Sequence, residues 1–573
     1  MTTPQSTPGQ LPTPAGTYEP MEDEVRNGSF DYSTRYSEDP VPANPFTRGA
    51  NVERIIAVAP DEDASPTRRG IYNGRIKRWP GVLLFVFLCA GAVVGTVYFS
   101  SRFKEGSDNR RQAYVTMIKE REKIGSGLEL PNVTPHKDDV DDDGLINNPK
   151  VYKPMGCELP DYQSKRGKIW AVSKNGTEVP VAIKGVNWFG METGMQAPFG
   201  LWDNDQNGTT VYAIASFLSA NKFNSVRMPL CVQNILENKP LEASIVNRVT
   251  NRAVDLTSYL SLLQSIVKAL GYRGISVMLS MHTLNRNNDA GSLWYGKGFT
   301  EDQFLQSIDM LTKALCSDVY WNVLGIDVKN EPFEGTWGTG DANDFKAASE
   351  RIANRMLKGC PKWMGFVEGI NQQNSIVLDG QKFNYYDWFG GGLHKAKGSQ
   401  PKLSLDNKLV YAPHYYTPAV FPQYYLFGDG VVGAGNAIIG YKELPDDKLY
   451  GRVKNTMNDM FGFLNDHKGP AVLLGEFAGL YTNDAHPMKT TQRCTDYTIK
   501  VIVEDDYAGG YMWSLNPESA YQYNPADKPG NYIEGLLEPD WRKPNVPFLK
   551  AMQGLDAMKD LKPMPCFPTE IGR

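Results

Sequence analysis

Two carboxylates stand where apolar runs give way to polar loops: Glu331 lies near the end of VLGIDVKNEP, and Glu476 lies in AVLLGEFAG. A parallel barrel exposes its reacting groups at such strand ends. Two acids presented this way suit cleavage of a glycosidic bond, one protonating the departing oxygen while the other works at the sugar. Other reactive side chains close comparable runs: Arg227 in SVRMPL, His282 in ISVMLSMH, Asn330 beside Glu331, His414 and Tyr416 in LVYAPHYY, and Trp513 in GGYMWS. Taken singly, each has an ordinary structural role, such as a surface ion pair for Arg227, a core imidazole for either histidine or core packing for Trp513. Convergence on one rim would give them a joint meaning that none has alone.

The elements needed to bring them together are legible. Eight short strand-like runs (IKGVNWF, SVRMPL, ISVMLSMH, VLGIDVKNEP, MGFVEG, LVYAPHYY, AVLLGEF and GGYMWS) alternate with stretches that are apolar at helical spacing, among them TVYAIASFLSANK, DQFLQSIDMLTKAL and FKAASERIANRML. Eight such units predict an α/β fold, a (β/α)8 TIM barrel with long loops. A doubly wound open sheet is the competing topology; it requires a nucleotide-type glycine turn, which the Gly390 to Gly392 run does not supply. KIWAVSKNGTEVPVAI, before the first unit, alternates around Asn175-Gly176 and predicts an N-terminal β-hairpin closing one end of the barrel.

Residues Gly185 to about Pro544 resemble glycoside hydrolase family 5, most of all its endo-β-1,4-glucanase (cellulase) branch. The matching segments are GVNWFGMET, VRMPL, LGIDVKNEP, FVEGI, YAPHYY, LLGEF and YMWSLNPES, in that order. The resemblance implies a retaining enzyme without cofactor or metal, with Glu331 similar to the family's acid/base and Glu476 to its nucleophile. Arg227, His282, Asn330, His414, Tyr416 and Trp513 fall on further positions that members keep. In that role Glu331 should be raised in pKa by burial and by Glu476, while Arg227 and the Tyr416 hydroxyl hold Glu476 ionised. Asn330 is placed for the sugar 2-hydroxyl, and Trp513 for stacking beneath the sugar. Trp188, Trp294, Trp337 and Trp388 are either further glucose platforms or core. One departure is Ser280, two residues before His282, where close relatives often carry an acid. The loops NRNNDAGSLWYGKGF and TPAVFPQYYLFGDGVVGAGN set groove shape, so β-1,4-glucan, β-1,3-glucan and mannan all stay open, as does transglycosylation. A glucan-binding wall anchor without turnover is the alternative of a different class.

The remainder of the chain reads differently. Residues 1–78 are rich in Pro, Thr, Ser and acids, too poor in large apolar side chains to offset ordering, and predict a disordered tail. Gly81 to Phe99 is free of charge and bounded by Arg75, Lys77 and Arg78 before and Arg102 and Lys104 after, which predicts a transmembrane signal anchor over 79–101. Residues 102–154 form a charged stalk, and 155–573 the barrel. Within the stalk, Asp139, Asp141, Asp143 and Gly144 copy half of a calcium loop, but Lys150 stands where a bidentate acid belongs, so a solvated linker is the better reading. Six of the seven cysteines follow the apolar run (Cys157, Cys231, Cys316, Cys360, Cys494 and Cys566), as do sequons at Asn132, Asn175 and Asn207. Both suit an oxidising side, with three disulfides or with free buried thiols, and Cys316–Cys360 is the preferred pair. The expectation is a single-pass type II plasma-membrane protein with an outward-facing catalytic domain and a cell-wall β-glucan as partner. A net charge of -5 without a basic stripe argues against nucleic acid.

Overall fold

In a computed structural model of the chain, the described residues are 147–287 and 291–569, together with Phe85, Phe87 and Ala90. The expected tail, the acidic loop and nearly all of the expected anchor lie outside the described residues; Phe85, Phe87 and Ala90 are helical and exposed. No helix among the described residues is long and apolar enough to cross a membrane.

Eight strand lines form one parallel sheet: β1 Ile183–Asn187, β2 Ser225–Cys231, β3 Ser276–Thr283, β4 Val323–Asp327, β5 Met364–Val367, β6 Leu409–Tyr411 resumed at His414–Tyr416, β7 Ala471–Val472 resumed at Leu474–Ala478, and β8 Gly509–Met512. Pairing runs from the outer halves of β6 and β7 through β8, β1, β2, β3, β4 and β5 to the inner halves of β6 and β7. Both ends of the ladder therefore belong to the same two chain segments, and the sheet closes on itself. Pro413, which has no N–H to donate, interrupts β6; its carbonyl still accepts from Gly475 N at 2.9 Å. Nearly every residue of β1 to β8 is buried, because the strands have side chains inside the barrel and helices outside.

The helices start where capping side chains allow it. Thr210 caps α1 (Val211–Ala220), Ser258 caps α2 (Tyr259–Gly271), Thr300 with Gln303 builds a reciprocal capping box on α3 (Glu301–Leu315), and Asp344 caps α4 (Phe345–Gly359). α5 (Asp446–Met460) begins with two acids beside its positive end, and α6 (Thr490–Glu504) follows β7.

The predicted hairpin is present as Lys168–Val172 and Glu178–Val181, and Asp161–Lys165 adds a third antiparallel strand. It packs under the N-terminal ends of β5, β6 and β7, where Tyr162 N reaches Lys362 O and Ser164 Oγ accepts from Ala471 N. Cys316–Cys360 forms as expected between the ends of α3 and α4. The second disulfide is Cys157–Cys566, beside a short pairing of Cys157–Glu158 with Phe567–Pro568. The third expected bond is absent: Cys231 and Cys494 are free and buried, one ending β2 and the other on the buried face of α6.

Candidate active site

The C-terminal ends of the strands turn their polar side chains toward one another. Arg227, fully buried in β2, is the hub. Its Nη1 donates to Asn187 Oδ1 of β1 at 2.9 Å and to Glu476 of β7. Its Nε and Nη2 donate to Asp327 of β4 at 3.0 and 2.7 Å, and Nη2 also reaches Asn330 Oδ1 at 2.7 Å and Glu368 of β5's end at 3.2 Å. Burial opposes the guanidinium charge, but Glu476, Asp327 and Glu368 together outweigh it and hold its pKa above the ordinary value.

Glu476 is buried and doubly held: one oxygen takes Arg227 and the other accepts the Tyr416 hydroxyl. Burial pushes its pKa up and Glu331 adds to this, while His414, Arg227 and Tyr416 pull it down. Burial likewise lifts the Tyr416 hydroxyl, so it stays a donor. Glu331 stands more openly, its side chain 26% exposed; the burial expected at Glu331 falls on Glu476 instead. The reason is local. Glu331 lies beyond the end of β4 at φ +45°, a left-handed conformation that turns it out of the strand path, and its N–H is held by Glu368 at 2.7 Å.

His414 links the two glutamates. Its Nδ1 is 3.0 Å from Glu331 and 3.6 Å from Glu476, and its Nε2 is 3.0 Å from Glu368, off the line of a hydrogen bond. Burial disfavours its charge, yet Glu368, Glu476 and Glu331 raise its pKa well above the usual imidazole range. One oxygen each of Glu331 and Glu476 lie within 4.8 Å of one another and of a His414 nitrogen; Asp327, Glu368 and His414 form a second such group. The carboxylates of both groups are already engaged, Glu476 by Arg227 and Tyr416, Glu331 by His414, Glu368 by the Glu331 N–H and Asp327 by Arg227.

Asn330 gives its amide oxygen to Arg227, which leaves Nδ2 as the group a ligand hydroxyl would meet. His282 lies parallel to Trp513, with ring centroids 5.9 Å apart, and desolvation followed by Arg227 holds its pKa well below the usual range. Phe189 stacks on Trp513 as well, at 5.4 Å. The site thus gathers Arg227, His282, Asn330, Glu331, His414, Tyr416, Glu476 and Trp513. Trp188 is not among its surfaces: it is completely buried and donates Nε1 to Phe199 O at 3.0 Å, so it is core. Trp294 and Trp337 are buried with Nε1 donated to Glu301 and to Ser399 O, and Trp388 is buried edge-on to Tyr415 and Tyr416, so these three pack internally; Trp513, 7% exposed, is the one whose ring lies against the site's His282.

Sequence reasoning passed over Glu368, Asp327, Asn187 and Lys329. Glu368 had a signal, since MGFVEG carries an acid one residue before its end, just as LLGEF does. Lys329 is buried beside Asn330 O at 2.5 Å; desolvation lowers its pKa to about 8 against the pull of Glu368, Glu331 and Asp327.

Residues 172–519 match the family model for cellulase, glycosyl hydrolase family 5. The major extracellular endoglucanase of Xanthomonas campestris pv. campestris is 31% identical over 384 residues, covering 65% of this chain and 68% of that protein. An endoglucanase of Paenibacillus polymyxa is 27% identical, covering 69% of this chain and 88% of its own length. An endocellulase of Pyrococcus horikoshii, solved in complex with cellotetraose, superposes with a TM-score of 0.56 at 27% identity, over 70% of this chain and 100% of that one.

Proposed function

Because this chain belongs to the cellulase family, glycosyl hydrolase family 5, we propose that it is a retaining endo-β-1,4-glucanase tethered to a membrane. It is a glycoside hydrolase. The observation that carries the finer reading is the approach of the two carboxylates, oxygen to oxygen within 4.8 Å. Retaining sites hold their carboxyls about 5–5.5 Å apart, whereas inverting sites leave about 6.5–9.5 Å for a water between them.

In the first step Glu476 attacks the anomeric carbon and the glycosidic C–O bond breaks, with the Glu331 proton passing to the departing oxygen. In the second, Glu331 takes a proton from water, whose oxygen displaces Glu476 and frees the sugar. Arg227 and Tyr416 aim the attacking carboxylate, Asn330 Nδ2 serves the 2-hydroxyl, and Trp513 supports the ring. Linkage preference for β-1,4-glucan is supported by the cellulase and endoglucanase relatives. The uncharged run from Gly81 to Phe99 supports a signal anchor, with 1–78 inside and the barrel outside at the cell wall.

The test counts new reducing ends from carboxymethyl-cellulose, a β-1,3-glucan and a β-mannan, and follows the product anomer. Glu331→Gln and Glu476→Gln should each lower turnover on cellulose by roughly 10²–10⁴-fold. On a dinitrophenyl cellobioside, whose leaving group needs no proton, Glu331→Gln should still form the glycosyl-enzyme and Glu476→Gln should not. A product of inverted anomeric configuration, or preference for another polymer, would sink the corresponding part of the proposal. Activity that does not sediment with membranes would sink the tether.

A further inference from the structure

Lys329 is 1% exposed, and none of the steps of glycosidic cleavage uses its ammonium. Burying such a charge is costly unless its neighbours compensate it. Here Glu368, Glu331 and Asp327 do so, pulling its pKa upward against desolvation. Its Nζ donates to Asn330 O at 2.5 Å, the carbonyl of the peptide that joins Asn330 to Glu331. The N–H of that same peptide donates to Glu368 Oε2 at 2.7 Å. One peptide plane is thus held at both ends by buried ionisable groups, an ammonium on its oxygen and a carboxyl on its nitrogen, and charge-assisted bonds are about twice as strong as neutral ones.

The chain on either side is fixed by backbone. Val328 N donates to Phe366 O of β5 at 3.0 Å, Asn330 N to Met281 O of β3 at 3.0 Å, and Phe333 N to Glu331 O at 2.8 Å. Between these anchors Glu331 leaves the sheet at φ +45°. A residue with a Cβ keeps that left-handed conformation only where its surroundings determine it. Rotation of the Asn330–Glu331 peptide changes this φ, and with it the direction of the Glu331 carboxyl. We propose that Lys329 is a positioning residue for proton donation: by anchoring the Asn330 carbonyl it fixes the backbone angle that aims Glu331, as Arg227 fixes Glu476 directly. The inference rests on Glu331 being the acid/base. Lys329, being buried, meets no substrate and acts through the peptide it holds.

The experiment measures kcat/KM, which reports the steps through cleavage of the first bond, for wild type and Lys329→Met, a variant of similar length without the charge. One substrate is cellopentaose, whose departing sugar needs a proton; the other is a dinitrophenyl cellobioside, whose departing phenolate does not. Lys329→Met should lose roughly ten- to a hundredfold on cellopentaose and less than about threefold on the aryl substrate. A parallel fall on both substrates is what a general disturbance of the cleft produces, and it overturns the positioning role, as does no change on either. Should Lys329→Met fail to fold, Lys329→Gln, which offers the carbonyl a shorter and neutral donor, is compared on the same two substrates; a loss confined to cellopentaose supports the role and equal effects overturn it. Wild type cleaving neither substrate would instead overturn the glucanase reading, and this inference with it, before any variant is compared.

Discussion

At the scale of single residues, the site is a balance of charges that no one side chain sets. Glu476 must be ionised to attack, yet burial raises its pKa, and His414 is the strongest group opposing that rise. His414→Asn removes the cation, so Glu476 should hold its proton to higher pH. The acidic limb of kcat/KM, which reports the free enzyme, should move upward by roughly one pH unit. An unmoved limb would show that Arg227 and Tyr416 suffice to hold the nucleophile ionised. The residues with a strand-end signal (Arg227, Glu331, His414, Tyr416, Glu476 and Trp513) were legible from type and place. Asp327 was not, because it lies within an apolar run that reads as strand interior, and only the barrel's curvature brings it to Arg227. Trp188 misled for the opposite reason: a tryptophan just past β1 has a rim address in sequence, while its indole turns inward to Phe199.

At the scale of elements, the loop after β1 carries a buried charge outside the catalytic set. Glu192 is 5% exposed and accepts from Gly190 N at 2.7 Å. Burial, only partly offset by that bond, raises its pKa from 4.5 to about 7. With the folded value above the unfolded one, the native state binds the extra proton. Its contribution to stability is therefore complete below about pH 4.5 and is lost as pH rises toward about 7. Glu192→Gln should flatten that dependence by on the order of 2–3 kcal/mol across the window. Unfolding by denaturant at pH 5 and pH 7 measures it, and an equal slope in the variant would assign the pH dependence elsewhere. The eight units and most helix limits were readable because cap and period agreed, as Thr300 with Gln303 at α3 illustrates. The two-stranded hairpin Gln373–Leu378 with Gln381–Tyr386 went unread, although Asp379-Gly380 carries the turn signal; its strands stand on the rim, alternate weakly and follow β5 without a helix between.

At the scale of the whole molecule, two covalent bonds constrain the barrel over very different spans. Cys316–Cys360 bridges a sequence separation of 44, and Cys157–Cys566 one of 409. Loop-closure entropy grows with the logarithm of the enclosed length, so Cys157→Ser with Cys566→Ser should cost more stability than Cys316→Ser with Cys360→Ser. Both losses should fall at about 2–5 kcal/mol. Denaturant titrations of the two double variants would rank them, and a reversed order would mean that local geometry outweighs chain entropy.

The long-span bond also decides how the domain bears tension. Its two sulfurs clasp the first and last short strands, Cys157–Glu158 against Phe567–Pro568. Tension applied between the chain ahead of Cys157 and the chain after Cys566 is carried by the S–S bond, so a pull of that kind does not peel the strands between them away one at a time.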